Sequence, residues 1–242
     1  MTFAGDRNQT PPWGILATLA WLLLAFAISA VVTIGVLSAW QADHLRAGNE
    51  TYDGVLLAVG SLAAIPVQVA VLAVAARLRR WSPASYLALN LPRRGEIVLA
   101  VICVAALDLL FNAFLYFSGH GIVSPFQIET YRTAKDAGWL FWLLAAIVIV
   151  APIGEEVAFR GFFYRGLARP GRELHAIVIV AFTWALLHIQ YDWLGMLQIF
   201  AIGLMFGWFR WASGSTTLTI MMHVLINLEA MIETAIKVEY LS

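Results

Sequence analysis

The chain has 242 residues, of which 61% are hydrophobic and only 12% charged, and it carries ten tryptophans. So little polar surface excludes an ordinary soluble domain and describes a polytopic membrane protein. The formal charge sums to zero and no Lys/Arg cluster stands on a soluble domain where it could grip phosphate, which argues against a nucleic-acid partner. The one cysteine, Cys103, excludes an internal disulfide.

Seven apolar segments of spanning length run over about 13–40, 53–76, 96–117, 139–164, 173–190, 192–212 and 216–237. They predict an all-α transmembrane bundle of seven spans; an eighth, short or re-entrant segment would move the C-terminus to the other side. The first span follows a short polar stretch with Pro11 and Pro12, and its Trp13, Trp21 and Trp40 include candidates for interfacial anchors. At roughly 28 residues it exceeds a signal-peptide apolar region, so it reads as a retained helix. Linker 77–95 is basic, has a proline near each end, and reads as a loop lying on anionic headgroups.

The third span carries Asp108 and Asn112, four apart and so on one helix face; a buried hydrogen-bonding pair and a functional carboxylate are equally open readings. Loop 118–138 is polar, with an interfacial helix expected over 126–136 and a solvent-facing His120. Lys and Arg divide eleven to four between the two sides, the larger group including Arg7, Arg160, Arg165 and Arg210 and the smaller including Arg46. This asymmetry predicts a cytoplasmic N-terminus in a bacterial-type inner membrane. Residues 1–138 form an N-terminal three-helix region and 139–242 a core, integrated in one membrane domain, with lipid as its surroundings.

The segment Ala151–Arg165, APIGEEVAFRGFFYR, puts three charges near the end of a span. A charge at mid-bilayer costs roughly 2.5 to 3.5 kcal/mol on insertion scales, so the cluster needs a compensating purpose. Glu156 and Arg160 are four apart with the acid N-terminal, the favourable order for an intrahelical ion pair. Glu155 points about 100° away and has no such partner. That leaves it free to act as a general base or acid.

The next segment brings His188 after the turn Arg169-Pro170-Gly171-Arg172. At a 1.5 Å rise per residue, Glu155 and His188 both lie about 22 to 26 Å from that turn, so they can face each other at one depth. The last span offers His223 and Asn227 on one face, only about 10 and 16 Å from its start. All four meet only if the preceding hairpin projects about two turns past the bilayer.

A carboxylate and an imidazole can hold and deprotonate a water, while an amide and a second imidazole can donate to the oxygen that becomes negative when water attacks a carbonyl. Glu155, His188 and His223 could instead ligate zinc, although no His-Glu-x-x-His spacing exists and such a site would have to be assembled from separate helices. A proton-linked transporter with a Glu155–His188–Asp108 relay, and a non-catalytic scaffold or immunity protein, are the readings from other classes; no duplicated halves support the transporter.

The ordered set resembles the CPBP family of CAAX-protease and bacteriocin-processing (Abi) intramembrane proteases, which includes type II CAAX prenyl endopeptidases. Glu155, Glu156 and Arg160 meet its Glu-Glu-x-x-x-Arg motif. His188 meets its aromatic-x-x-x-His motif, with Trp184 where Phe is usual, and His223 and Asn227 meet His-x-x-x-Asn. The resemblance covers roughly 139–230. It implies a helical membrane core and an endopeptidase acting on a peptide or membrane protein, with Glu155 as base, His188 orienting the water, and His223 and Asn227 as oxyanion donors. The family is commonly labelled metalloprotease; a glutamate-dependent mechanism without a cofactor is the slightly favoured expectation, with zinc as the alternative.

Overall fold

A computed structural model describes residues 12–44 and 53–241, so Arg7, Pro11 and Arg46 of the sequence argument lie outside the described residues. The helices are α1 (Ile15–His44), α2 (Gly54–Leu78), α3 (Arg94–Phe117), α4 (Pro125–Asp136), α5 (Leu140–Leu167), α6 (Glu173–Leu186), α7 (Trp193–Ser213) and α8 (Thr216–Tyr240), with one further turn at Pro83–Tyr86. No strand occurs among the described residues.

Local signals set the helix ends. Asp53 caps α2 by accepting from the backbone N–H groups of Val55 and Leu56 at 2.8 and 3.1 Å. Ser124 and Gln127 form a reciprocal capping box before α4, whose Pro125 sits where a missing N–H costs nothing. Asp192 caps α7, which ends on Gly214 in the left-handed region at φ 70°. Ser215 starts α8.

Six of these helices are long and apolar enough to cross a membrane. The seventh, α6, has 14 residues instead of the expected 18, because the chain turns after Leu186. Outward faces carry Leu16, Leu23, Val31, Leu109, Leu110 and Phe141 in exposed positions. Apolar side chains outside as well as inside are what a lipid solvent selects. The chain is an integral membrane protein.

The centre of the bundle is α5, packed against α2, α7 and α8. Its helix widens into π-helical turns over Ala145–Val150 and Val157–Phe163, on either side of Pro152. Proline has no N–H to donate to the preceding turn. In the π register, its missing partner is the carbonyl of Ile147, and Asn227 of α8 fills that role, donating from Nδ2 at 2.8 Å. Gln68 of α2 likewise donates to the Gly154 carbonyl at 3.0 Å. Gly154 has to be glycine for this approach, since a Cβ there would fall on Ile65 of α2.

Arginines counted in the charge asymmetry behave differently in space. Arg160, Arg165 and Arg210 are buried and therefore do not lie among headgroups. Arg165 donates to the carbonyls of Ser85 and Tyr86 at 2.9 and 2.6 Å and lies 4.3 Å over the Trp81 ring. It fastens linker 79–93 to the bundle. Thr216, at the start of α8, donates its backbone N–H to Ala88 of the same linker, and Leu87 packs on Gly161. The first turn of α8 is thus level with Gly161, and α5 continues about 9 Å past it to Leu167.

Candidate active site

The charges of α5 separate into a sealed pair and an accessible carboxylate. Glu156 and Arg160 are wholly buried, and Arg160 Nη1 donates to Glu156 Oε1 at 2.8 Å. The guanidinium also donates to the Gly203 carbonyl at 3.3 Å and lies over the neighbouring rings of Trp184 and Phe206, at 4.4 and 5.2 Å. Glycine at 203 lets α7 come this near, because an added Cβ would press on Ala181 and Trp184. Arg210 reaches across from α7 to donate from Nε to the Arg160 carbonyl at 3.0 Å. Buried charges paired and hydrogen-bonded in this way offset much of each other's desolvation cost.

Glu155 keeps 31% of its side chain exposed, and His188 keeps 18%. They face open space where the Glu156–Arg160 pair does not. The Glu155 side chain does have a partner outside its own helix: Trp184 donates its indole N–H to Oε2 at 2.6 Å. This is the substituted position of the aromatic motif, and a phenylalanine there could not make the bond. Trp184 therefore couples the two halves of the site through its N–H and backs Arg160 with its ring face.

His188 comes into range because α6 tightens as it ends. The backbone N–H groups of Leu187 and His188 bond Trp184 and Ala185 at 3.2 and 3.0 Å, and His188 Nδ1 meets the Trp184 carbonyl at 2.8 Å. A carbonyl only accepts, so Nδ1 carries the proton and the lone pair sits on Nε2. That nitrogen lies 3.9 Å from Glu155 Oε2.

His223 and Asn227 enter from α8. His223 Nδ1 is 3.1 Å from Glu156 Oε1, and its ring packs edge-on to Trp184 at 5.4 Å. Donation from Nδ1 to the carboxylate leaves Nε2 as the free atom. Asn227 commits one amide N–H to Ile147 and retains its second.

Asp108 and Asn112 join a different group. Asn112 Nδ2 donates to Asp108 at 2.9 Å and to Glu233 of α8 at 2.8 Å. Glu233 lies ten residues, about 15 Å, along α8 from His223. His120 is exposed beside Ser118. Among the described residues no three or more His, Cys, Asp or Glu side chains gather closely enough to hold a metal ion.

Sequence reasoning passed over Gln68, Arg210 and Tyr191 as site residues. Gln68 was visible as a lone amide in an apolar helix. Tyr191 follows His188 by three residues, and burial, reinforced by the nearby Glu155 charge, pushes its phenol up to about 12.

Residues 137–228 match the family model described as type II CAAX prenyl endopeptidase Rce1-like. The matched stretch contains Glu155, Glu156, Arg160, Trp184, His188, His223 and Asn227. No curated protein and no solved structure matches the chain significantly.

Proposed function

From the match of residues 137–228 to the Rce1-like type II CAAX prenyl endopeptidase model, we infer an intramembrane endopeptidase that hydrolyses a peptide bond of a membrane-associated protein or peptide with a Glu155-activated water. The observation that carries this is the 3.9 Å separation between Glu155 Oε2 and His188 Nε2. A water bonded to both atoms at about 2.8 Å each would subtend roughly a right angle, close to its own lone-pair and O–H directions.

Each residue then has a separate task. Nε2 of His188 accepts one O–H of the water and orients it, and Glu155 takes the other proton as the water oxygen attacks the carbonyl carbon. The electron pair of the C=O bond moves to its oxygen. When the tetrahedral intermediate collapses, the C–N bond breaks and Glu155 returns its proton to the leaving amine. The second N–H of Asn227 and, when both ring nitrogens are protonated, Nε2–H of His223 are donors for the oxyanion. The indole of Trp184 holds the carboxylate in place. Glu156 and Arg160 hold His223 and the wall behind Trp184, and take no proton in the reaction. No step requires a metal.

The N-terminal helices act as the scaffold for this core, with α2 bracing α5 through Gln68 and Gly154. The arginine-rich linker 79–93 faces the cytoplasm. The test uses the full chain in proteoliposomes with one CAAX peptide in farnesylated and unmodified forms. Cleavage of either that disappears in Glu155→Gln supports the reading and states whether the lipid is required. Cleavage by Glu155→Gln at the wild-type rate removes Glu155 from the mechanism.

A further inference from the structure

Tyr191 lies in the short connection between α6 and α7, outside the helices long enough to span the membrane. Three contacts fix it without using its hydroxyl. Its backbone N–H donates to the His188 carbonyl at 3.1 Å. Its ring lies 6.4 Å from the His188 ring at 32° and 5.6 Å from the ring of Phe126 of α4 at 72°. The start of α7 also comes so near that a Cβ on Gly195 would stand 2.9 Å from Tyr191 Cβ. The phenol is consequently carried on a rigid mount beside His188.

The hydroxyl itself has no hydrogen-bond partner among the described residues, and it is not sealed from the surrounding space. It is near enough to Glu155 to feel the carboxylate's charge. Several other donors around the pair are committed, so that beside the Tyr191 hydroxyl only the second N–H of Asn227 and Nε2 of His223 stay open. The Trp184 indole is on Glu155, His223 Nδ1 is on Glu156, and one Asn227 N–H is on Ile147. A neutral O–H without a partner, held next to a group that activates water, is a donor kept for something that arrives. A carbonyl about to gain negative charge is the acceptor that such a site brings in.

Resting on the endopeptidase reading, we propose that Tyr191 is a further catalytic residue, its hydroxyl donating a hydrogen bond to the carbonyl oxygen of the scissile peptide bond. The bond strengthens as the water oxygen bonds to carbon and the C=O electron pair passes to that oxygen. Tyr191 keeps its proton throughout, since the one that leaves the water travels by Glu155 to the amine. Burial and the nearby Glu155 charge both favour the neutral phenol, so the donor stays protonated at neutral pH.

Tyr191→Phe keeps all three contacts and removes only the donor. In proteoliposomes, with the peptide that wild type cleaves, it is expected to lower kcat about 100-fold. KM and the melting temperature should stay near wild-type values. Tyr191→Leu, which removes the ring as well, separates the alternatives: wild-type kcat in Tyr191→Phe with a loss only in Tyr191→Leu would reduce the residue to packing and overturn the proposal. Glu155→Gln is run beside them. If a product forms that does not need Glu155, the endopeptidase reading itself fails, and the proposal with it; a Glu155-dependent product formed equally fast by Tyr191→Phe sinks the Tyr191 assignment alone.

Discussion

Glu156→Gln separates structural charge from reacting charge. The substitution retains shape and one hydrogen bond, but Gln cannot neutralise Arg160, which is wholly buried 2.8 Å from the Glu156 carboxylate. Besides that one neutral bond, the guanidinium keeps a carbonyl at 3.3 Å and two ring faces. Removing one partner of a buried pair costs about 3 to 5 kcal/mol. For a chain of this length that corresponds to a fall in melting temperature of order 10 °C. Thermal unfolding of the purified protein in detergent, followed by tryptophan fluorescence, measures it. Because the loss comes from a stranded charge, Glu156→Gln with Arg160→Met should recover most of the stability. Were the single variant to melt with wild type, or the double variant to be no more stable than the single, the pair would not be the structural element described here.

Asn227→Ala should lower stability by about 1 kcal/mol through the bare Ile147 carbonyl, and adding Pro152→Ala, which restores a backbone N–H to α5, should return part of it; no recovery in the same melting assay would mean that Asn227 does not substitute for the proline. Metal analysis of the purified protein should give substoichiometric zinc, unchanged by His188→Ala. Stoichiometric zinc lost on that substitution would replace the water-activation scheme with a metal one.

Hydropathy reveals the number of helices, because the cost of burying backbone in lipid demands helices wherever apolar residues run long enough. It overestimates α6, since it counts residues and not hydrogen bonds: Leu187 and Ile189 prolong the apolar run, but the His188 side chain takes the Trp184 carbonyl and the helix stops. Spacing of four makes Glu156–Arg160 and Asp108–Asn112 legible, because one helix presents both residues on a face. It does not reveal that Asn112 reaches Glu233, or that Glu155 is held by Trp184, since these contacts join separate helices. The π-helical turns of α5 are foreshadowed only by Pro152, and the burial of Arg210 not at all. In a sequence, an arginine at a helix end looks like a headgroup contact whether or not another helix covers it.

The most direct test of the account maps protein termini in membranes of cells that carry the wild-type chain or Glu155→Gln at equal abundance. A set of new C- and N-termini on membrane-associated proteins or peptides is expected with wild type and missing with Glu155→Gln. Identical termini in both, from a wild-type protein shown to be folded, would contradict it.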